Sequence, residues 1–560
     1  ETSPDGVATL PGLPPGRYTV QVEFPGFESN TIRDVRVRAG DNKQSVVLAI
    51  KKLEDSVVVG QDAQTAASDR NRAFGSALTR EQIDALSDDP EEARRQLLNM
   101  VGGDAVIRVD SFEGAQLPPK SQIRSIRVSR DAFAAEFHQA GGIFVDIITQ
   151  PGLGSLRGGA QMRLRDGSMS GRSPFTPTKG PERTQDYSFN LGGALIRERL
   201  GFNINFNGTT AFETPNLNAA LLTGTRSEAL NLRTPRDFVN MNANIDYALT
   251  KDQILRFGFN RNTSAFENQG IGLYDLPERA FATDSQTNQF RIQEAGPLGR
   301  RFFMNTRLFV VWNDSVSTSA FEAPTIRVND AFTAGGQQVS GGRRTRTVNL
   351  GSDLDYVRGI HSVRMGLALE SVWAHSDSFN NYLGTYTFES LEAYEAGRPR
   401  SYTRRIGDPN IDYFNFQGAI YIQDDIRVRQ GLTLSPGARY ELQTHVGDFN
   451  SIGPRFGVTW SPSRSGRTTL RASSGIFYDW LGTGTYEQTL RVDGFRQQEI
   501  NIADPLYPDP GTAGFVPPLN RYLLSESVRM PRNIRFSGGI DQTLNRLSRI
   551  GFTYAHVRGT

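Results

Sequence analysis

The chain contains no cysteine, so its 560 residues can form neither a disulfide framework nor a thiolate site. It has five histidines, which do not cluster with carboxylates, and this scarcity argues against a metal centre. No apolar run approaches the roughly 18 residues that a membrane-spanning helix needs. Basic residues number 62 and acidic residues 60, and this balance argues against the binding of bulk nucleic acid. We therefore expect no metal, no cofactor and no nucleic-acid partner.

What the chain does contain favours β-structure. Its length exceeds what one soluble core usually holds, which predicts several domains or one very large architecture. Apolar residues make up only 37% of the chain, but a β-barrel membrane protein is compatible with that value because only every second residue of its strands is apolar. The chain begins with Glu1 and Thr2, without a methionine or an apolar signal core, so we interpret it as a mature or truncated product.

The stretch from Tyr187 to Phe206 shows the pattern that most of the chain repeats. Large apolar residues occupy every second position, and serine, asparagine and glycine fill most positions between them. A period of two is typical of a β-strand with one apolar and one polar face. The short polar segment Ile196–Arg199 divides the stretch, which predicts an antiparallel hairpin.

From Leu156 onward, about fifteen such strands follow one another, and the lengths of their connections alternate. Short breaks such as Arg358–His361 alternate with long polar segments such as Asp314–Arg343 and Leu481–Met530. Tight turns at one end and large loops at the other are typical of outer-membrane barrels, whereas a soluble sandwich or propeller gives no reason for them. We therefore predict that the apolar faces of the strands contact lipid.

Near the N-terminus, the segment Pro11–Gly16 predicts a rigid turn that leads into the alternating strand Arg17–Phe24. Two further strands are predicted around Ile32–Arg38 and Ser45–Ile50. This pattern resembles the carboxypeptidase regulatory-like domain, a small prealbumin-type β-sandwich, and the resemblance implies a periplasmic interaction module. A plain spacer is the alternative. Despite the family's name, no peptidase site is implied.

A short β-prone run, Leu53–Gly60, comes next, and a polar, alanine-rich linker extends from it to about Ser76. A β-prone segment beside a flexible tether can be captured by the sheet edge of another protein. The run resembles the Ton box of TonB-dependent outer-membrane receptors, which binds the TonB-type energy complex of the inner membrane. It could equally be the last strand of the sandwich. The candidate partner-binding residues are Glu54, Asp55, Ser56, Val57, Val58 and Val59.

The following segment combines two short helices with three strands. Thr79 and Gln82 form a capping box at the start of the first helix, and Pro90 opens the second. Strands are predicted at Ala105–Asp110, Ile123–Ser129 and Ile143–Thr149.

The sequence of this segment resembles the plug domain of TonB-dependent receptors. The match consists of a valine–aspartate strand at Ile107–Asp110, an Ile-x-x-Ile-x-Val-x-Arg strand at Ile123–Arg130, and a Gly-Gly strand at Gly141–Thr149. Two departures from the family pattern indicate the Oar-like branch: Asp131-Ala132 stands in place of Gly-Pro, and Phe137-His138 in place of Tyr-Gly. These departures argue against ordinary siderophore chemistry.

The resemblance also implies a lock between the plug and the barrel. It implies that Arg127 and Arg130 pair with acidic residues of the barrel wall, with Glu136 as a nearby partner. A buried ion pair can act as a lock because breaking it leaves an uncompensated charge. The alternative is that these residues are solvated charges on strands.

Two later segments, Tyr421–Val428 and Pro454–Pro462, resemble barrel strands of the same receptors. The first contains Asp424 and Asp425, and paired carboxylates can share a proton in an active site. Adjacent residues of a strand point to opposite faces, however, so these two cannot converge as a catalytic pair. We therefore predict no catalytic residues and no enzymatic activity.

The predicted fold is mainly β and comprises a small β-sandwich, an α/β plug domain and a large antiparallel transmembrane β-barrel. An odd number of strands cannot close an all-antiparallel barrel, so we expect the barrel to be incomplete in this chain. The predicted domains are an N-terminally truncated sandwich at 1–52, the Ton-box candidate and linker at 53–76, the plug at 77–152 and a C-terminally truncated barrel at 153–560.

The resemblances imply a TonB-dependent receptor that imports a scarce ligand by energy-coupled plug displacement. It would lie in the outer membrane of a Gram-negative cell, in contact with lipid, with the plug and the N-terminal domain facing the periplasm. The extracellular ligand is not identified, because aromatic residues in long segments such as Phe379–Tyr386 could stack on a ligand or pack on one another. The alternative is an Oar-type protein for adhesion, signalling or surface assembly without active transport. A soluble carbohydrate-active or peptidase-like protein is disfavoured, since no catalytic set converges.

Overall fold

The computed structural model divides the chain into two compact units, Glu1–Gln61 and Asp62–Thr560, which are described separately. The candidate Ton box at Leu53–Gly60 and the predicted lock residue Arg130 lie outside the described residues. The structure describes residues 12–22, 30–38, 40, 42, 75–78, 80–87, 90–101, 105–110, 112–113, 117–118, 120, 123–129, 133–139, 141–149, 154–172, 174, 179–250, 252–463, 467–511, 521–544 and 549–559.

The first unit contains an antiparallel pair of strands, β1 (Gly16–Val22) and β2 (Asn30–Val37). The Pro-Pro-Gly turn before β1 is fixed by the hydroxyl of Tyr18, which donates a hydrogen bond to the Pro14 carbonyl at 2.9 Å. Two of the strands predicted in this region are therefore present. The strand predicted at Ser45–Ile50 lies outside the described residues.

The second unit begins with a small α/β element, residues 75–149, which we call the plug. Its five-stranded sheet has the order β3-β6-β7-β4-β5, and two helices cover it. No helix in the described part of the chain is long and apolar enough to cross a membrane. The elements are β3 (Gly75–Ala77), α1 (Arg80–Asp84), α2 (Pro90–Val101), β4 (Val106–Val109), β5 (Phe112–Glu113), β6 (Ile123–Ser129) and β7 (Phe144–Thr149).

The plug has a hydrophobic core of its own. Helix α2 places Ala93, Leu97 and Val101 on one face, because these residues recur every four positions. They pack against the sheet residues Ile126 and Val145, which are fully buried. The helices and the sheet of the plug therefore form an apolar core of their own.

A fifteen-stranded sheet, which we call the wall, forms most of the second unit. Every neighbouring pair of its strands is antiparallel, and the wall strands follow one another in the sheet in the same order as along the chain. Its strands are β8 (Arg157–Asp166), β9 (Arg183–Ile196), β10 (Leu200–Glu213), β13 (Thr234–Ala248), β14 (Ile254–Gln269), β15 (Phe281–Leu298), β16 (Phe302–Ser319), β19 (Gly341–Arg358), β20 (His361–Asp377), β23 (Asn410–Arg429), β24 (Leu432–Gln443), β25 (Ile452–Trp460), β26 (Thr468–Tyr478), β28 (Arg532–Thr543) and β29 (Arg549–Gly559).

The wall is an open sheet, as the odd strand count predicts. Its edge strands are β8 and β29, and they do not pair with each other within the described residues. The predicted mainly β fold with an unclosed barrel is therefore confirmed.

The two faces of the wall differ as the period of two predicts. On β23, Ile420 and Ile422 are 59% and 51% exposed, whereas Tyr421 and Gln423 are 7% and 4% exposed. The same alternation on β10 leaves Ile204 exposed. Since the buried set faces the plug, the apolar residues of the wall point away from it.

The connections between wall strands are short at one end and long at the other. Residues 197–199, 299–301 and 359–360 form the short turns. Besides the elements described next, the long connections carry a hairpin of β11 (Asn216–Leu221) and β12 (Gly224–Ala229) and two 3₁₀ turns, Gly167–Met169 and Pro277–Arg279.

Three of the long connections assemble into a second five-stranded sheet, which we call the loop cap. Its order is β18-β17-β21-β22-β27, so strands from separate connections hydrogen-bond to one another. The elements are β17 (Thr325–Val328), β18 (Phe332–Gly335), β21 (Thr385–Phe388), α3 (Leu391–Glu395), β22 (Ser401–Gly407), α4 (Thr483–Arg491) and β27 (Gln497–Ala503).

Aromatic side chains form the core of the loop cap. Tyr386 lies 4.6 Å from Tyr402 and 5.2 Å from Tyr507 between ring centroids, and Phe388 is fully buried beside them. The Tyr386 hydroxyl donates to the Pro508 carbonyl at 2.7 Å, and burial raises the pKa of Tyr386 to about 12. Tyr386, the last residue of the segment Phe379–Tyr386, therefore packs on other aromatic residues, as one of the two interpretations of that segment predicts.

Candidate functional site

The plug meets the wall along the turn segment 133–138, which we call the first anchor. Phe133, Ala135 and Phe137 of this segment are buried. The carboxylate of Glu136 forms an ion pair with the guanidinium of Arg364 on β20. The same guanidinium binds Asp355 of β19 through two hydrogen bonds of 2.8 Å each. One wall arginine therefore bridges a plug carboxylate and a wall carboxylate.

The wall also holds the backbone of the first anchor. Arg455 donates to the carbonyl oxygens of Ala134 and Phe137, both at 2.6 Å. Arg439 donates to those of Ala135 and Glu136, both at 3.2 Å. Charge-assisted bonds of this kind are stronger than neutral ones. The wall therefore recognises the path of the plug backbone, independently of most of its side chains.

A third contact couples the first anchor to the long connection between β26 and β28. The His138 imidazole stacks on Trp480 with ring centroids 3.9 Å apart. The Nδ1 atom of His138 lies 2.9 Å from the Glu441 carboxylate, which also binds Arg439. The anchor is therefore linked to the connection that carries α4 and β27.

A second anchor lies where β4 of the plug turns into β5. Asp110 adopts a left-handed φ of 50°, which a short polar residue tolerates at a tight turn. Its carboxylate accepts hydrogen bonds from the backbone and hydroxyl of Thr149, at 2.9 and 2.7 Å. The carboxylate also pairs with Arg256 of β14, which is bound to Asp246 at 2.6 Å. Gln293 of β15 donates to the Asp110 carbonyl at 3.2 Å.

A cavity of about 600 Å³ separates the plug from strands β8 to β15 of the wall. Its wall side is rich in carboxamides, and Asp110 and Lys120 of the plug line the opposite side. Such a lining offers hydrogen-bond donors and acceptors to a polar solute. The carboxamide residues are Asn190, Asn203, Asn205, Asn207, Asn242 and Asn244.

The described residues hold no group of three or more histidine, cysteine or carboxylate side chains arranged for a metal ion. The adjacent residues Asp424 and Asp425 occupy opposite faces of β23. Asp424 contacts His361 of the neighbouring strand at 2.6 Å, whereas Asp425 is buried beside Gln423 at 3.1 Å.

The structure places the predicted lock residues differently from one another. Glu136 lies at the first anchor. Arg127 lies on β6 inside the plug's own sheet, opposite Asp146 in register. The charges at the anchor are the reverse of the expected arrangement, since the plug supplies the acid and the wall supplies the arginine. Arg130 and the Glu54–Val59 segment lie outside the described residues.

Sequence reasoning missed the residues of the wall that hold the plug. Their common signal is a charged or amide side chain on the inward positions of an amphipathic strand, as in Arg439-Tyr-Glu441. That signal identifies a polar face but not its partner. The missed residues are Asp246, Arg256, Gln293, Asp355, Arg364, Gln423, Arg439, Glu441 and Arg455.

Two family models match parts of the chain. One, described as an outer membrane beta barrel domain, matches residues 285–450. The other, described as a carboxypeptidase regulatory-like domain, matches residues 1–50. No curated protein matches the chain.

Several solved structures share the fold. The outer membrane transporter YddB from Escherichia coli is 11% identical, with a TM-score of 0.60, over 86% of this chain and 69% of that one. A mutant of the ferric enterobactin receptor PfeA from Pseudomonas aeruginosa is 14% identical, with a TM-score of 0.55, over 88% and 72%. The siderophore receptor PirA from Pseudomonas aeruginosa is 14% identical, with a TM-score of 0.51, over 86% and 74%.

At these identities, the solved structures show the fold of the chain. They are receptors and transporters rather than enzymes, which agrees with the expectation of no enzymatic activity. Together with the outer-membrane barrel domain at residues 285–450, they support localisation in the outer membrane.

Proposed function

We propose that this chain, which has the fold of outer-membrane receptors and transporters, is a TonB-dependent receptor that imports a scarce ligand when its plug is displaced. One observation carries the proposal: the plug has its own hydrophobic core, and its attachment to the wall is mainly polar. Among the described residues, Phe309 is the one apolar wall side chain that packs against that core, and the Arg291 guanidinium lies 5.4 Å from the Phe112 ring centroid. Hydrogen bonds and ion pairs can be exchanged for water when the plug moves, so displacing the plug costs less than the strength of the bonds themselves.

The force would come from a TonB-type complex of the inner membrane that binds Glu54–Val59. A β-prone segment of this kind can pair with the sheet edge of a partner through its backbone. This mechanism requires the plug and the N-terminal unit to face the periplasm and the loop cap to face the exterior. The short turns and long connections of the wall support that orientation.

The ligand would enter from the side of the loop cap and pass beside the plug. The cavity between the plug and strands β8 to β15 lies along such a path, and its carboxamides would bind a polar solute. Phe137-His138, which departs from the plug pattern, is part of the first anchor. We propose on this ground that the chain belongs to the Oar-like branch and that its ligand is not an ordinary siderophore.

The experiment uses the absence of native cysteine. Ala135 is fully buried between the plug and the wall, so a single cysteine introduced by A135C reacts with an impermeant maleimide only when the plug moves. In energised cells we expect labelling to rise, and to fall back when a protonophore is added or residues 53–60 are deleted. A matched variant, I126C, places the cysteine inside the plug's own core and reports unfolding of the plug instead.

The outcome also separates the two candidate functions. Labelling of A135C that ignores both the protonophore and the deletion contradicts energy-coupled displacement. It favours the Oar-type alternative of adhesion, signalling or surface assembly. The observation that favours this alternative is the loop cap, whose strands form one continuous packed sheet suited to a rigid binding surface.

A further inference from the structure

The outward face of the wall carries a cross-strand row of residues that the proposed transport does not use. Trp312 of β16 lies directly opposite Arg346 of β19, which lies opposite Trp373 of β20, which lies opposite Phe414 of β23. The three aromatic residues are 41%, 45% and 40% exposed. They alternate with the inward residues that contact the plug, so this row points away from the lumen.

The row lies near one boundary of the apolar band of the wall. A second aromatic pair on the same face, Phe302 and Tyr356, has ring centroids 4.9 Å apart and lies beside the short turn at 299–301. Trp312 lies ten residues beyond Phe302 on β16. That distance is about 34 Å along a strand, or about 26 Å across a membrane for a tilt of about 40°. Aromatic girdles that flank an apolar band of about 25 Å are typical of outer-membrane barrels.

Arg346 is held between the two tryptophans. Its Cζ atom lies 5.8 Å from the Trp312 ring centroid and 6.0 Å from that of Trp373. No carboxylate in the described part of the chain forms an ion pair with Arg346, whereas its neighbour Arg344 has Asp314 at 3.5 Å. The Arg346 guanidinium is therefore oriented by aromatic contacts, and it can bind an anionic group outside the protein.

A groove of about 600 Å³ surrounds this arginine. Trp312, Trp373 and Phe414 form its apolar part, Arg344 and Arg346 contribute positive charge, and Asp314 and Asp412 contribute negative charge. Asp314 lies 3.5 Å from Arg344 and Asp412 lies 2.8 Å from His375, so both acids contact side chains other than Arg346. The Arg346 guanidinium beside this apolar surface matches a molecule with an apolar portion and an anionic head. A guanidinium binds phosphate oxygens in a two-pronged geometry, and the aromatic rings suit the headgroup level of a membrane.

We infer that Trp312, Arg346 and Trp373 form a binding site for the phosphate group of a membrane lipid in the leaflet on the loop-cap side. The choice of leaflet rests on the orientation given under the proposed function. The lipid's phosphate binds the Arg346 guanidinium, and its apolar chain lies along the outward face below the tryptophans. The site is on the outside of the wall and is separate from the plug, the cavity and both anchors.

The test uses the full chain in nanodiscs of zwitterionic lipid, with a fluorescent glycolipid that carries phosphate as the probe. We expect the phosphorylated probe to bind and the same glycolipid without phosphate to bind at least about tenfold more weakly, the scale of a lost charge-assisted contact. R346Q should weaken binding of the phosphorylated probe by a similar factor, and R346K should lie between R346Q and the natural chain because lysine keeps the charge without the planar fork.

The matched control is R261Q. Arg261 occupies the same cross-strand row on β14, opposite Asn288, but it contacts Gln286 at 3.0 Å instead of tryptophan rings. R261Q removes an equal charge from the same face, but Arg261 does not line the groove. R261Q should therefore leave probe binding within about twofold. Equal losses in R346Q and R261Q would overturn the site, as would equal binding of the probe without phosphate. Displacement of the probe by millimolar inorganic phosphate would make this a free-anion site and would also overturn it.

This assay is independent of transport. Probe binding that depends on Arg346, combined with A135C labelling that ignores cellular energy, would reject the proposed function and retain the lipid site. The opposite pair of results would reject the lipid site alone.

Discussion

At the scale of single residues, the attachment of the plug depends on a few charges whose partners are far apart in the sequence. Arg364 contacts Glu136, 228 positions away, and Asp355, nine positions away. Both carboxylates are largely buried, so neither can be fully solvated if the arginine is removed. Removing the arginine therefore leaves two buried carboxylates unpaired, whereas removing the Glu136 charge leaves Arg364 paired with Asp355.

This asymmetry gives the first prediction. R364A should destabilise the plug–wall assembly by about 3–5 kcal/mol, because it leaves two buried carboxylates without a counter-charge. E136Q should cost only about 1 kcal/mol, since Arg364 keeps Asp355. Urea titrations that follow protease accessibility of the plug measure both values. Equal losses in the two variants would show that Arg364 does not act as a bridge.

Sequence reasoning reached Glu136 but not its partner, for a physical reason. The period of two shows which positions of a strand face inward. It does not show which strand lies opposite a given plug residue. That contact joins residues hundreds of positions apart, and a local pattern carries no information about such a distance in sequence. The Arg439-Tyr-Glu441 spacing places two charged side chains on one face of a strand. It does not show that Arg439 donates to the carbonyl oxygens of the first anchor.

At the scale of elements, strand β10 tests which face of the wall meets lipid. Ile204 is exposed on the outward face, while Asn203 lines the cavity beside the plug. I204R should cost about 2–4 kcal/mol near the bilayer midplane, because an arginine in the apolar band is poorly solvated. N203R should cost much less, since the cavity gives its side chain a polar surrounding. Unfolding measurements in lipid vesicles compare the two, and similar costs would contradict the outward assignment of Ile204.

Helix α4 (Thr483–Arg491) contacts the wall through apolar packing of Tyr486 and Leu490 and through one buried carboxylate. Glu487 contacts Arg343 of β19 and lies 2.7 Å from Arg491 of its own helix. Burial alone would raise the pKa of Glu487, but the hydrogen bonds from Arg491 and Arg343 outweigh it and lower that pKa below its ordinary value.

A lowered carboxyl pKa in the folded state fixes the sign of the pH effect. The stabilisation from Glu487 is fully present above the ordinary glutamate pKa and is lost as the pH falls through the lower folded value. The hydrogen-exchange protection factors of residues 483–491, which correct for the pH dependence of the intrinsic exchange rate, should therefore fall below about pH 4. In E487Q these protection factors should be lower at neutral pH and should change less with acidification. An identical acid response in both proteins would exclude Glu487 as the responsible group.

At the scale of the whole molecule, the architecture was predictable because it repeats. The period of two recurs in fifteen strands, each with one apolar face, so it predicts β-structure many times over. The alternation of short and long connections is independent evidence for a barrel wall. The loop cap was not predictable, since its sheet joins short strands from three separate connections. The predicted domain boundaries stay predictions, and the candidate Ton box lies outside the described residues.

One aromatic contact joins the long connections of the wall to the plug. This contact is the His138–Trp480 stack, which joins the first anchor to the connection that carries α4 and β27. Gln443 fixes that connection to the wall through two hydrogen bonds of 2.8 Å with the backbone of Leu481. Movement of the loop cap can therefore reach the plug through one aromatic contact.

Removal of that contact should loosen the plug without removing a charge. W480L deletes a ring stack worth about 0.5–1.5 kcal/mol, so A135C labelling in membranes without an energy source should rise by roughly two- to tenfold. W373L is the matched control, because Trp373 lies on the outward face and packs on Phe414 instead of the plug. If W480L and W373L label equally, the long connection does not restrain the plug through Trp480, and the first anchor must hold by its wall arginines alone.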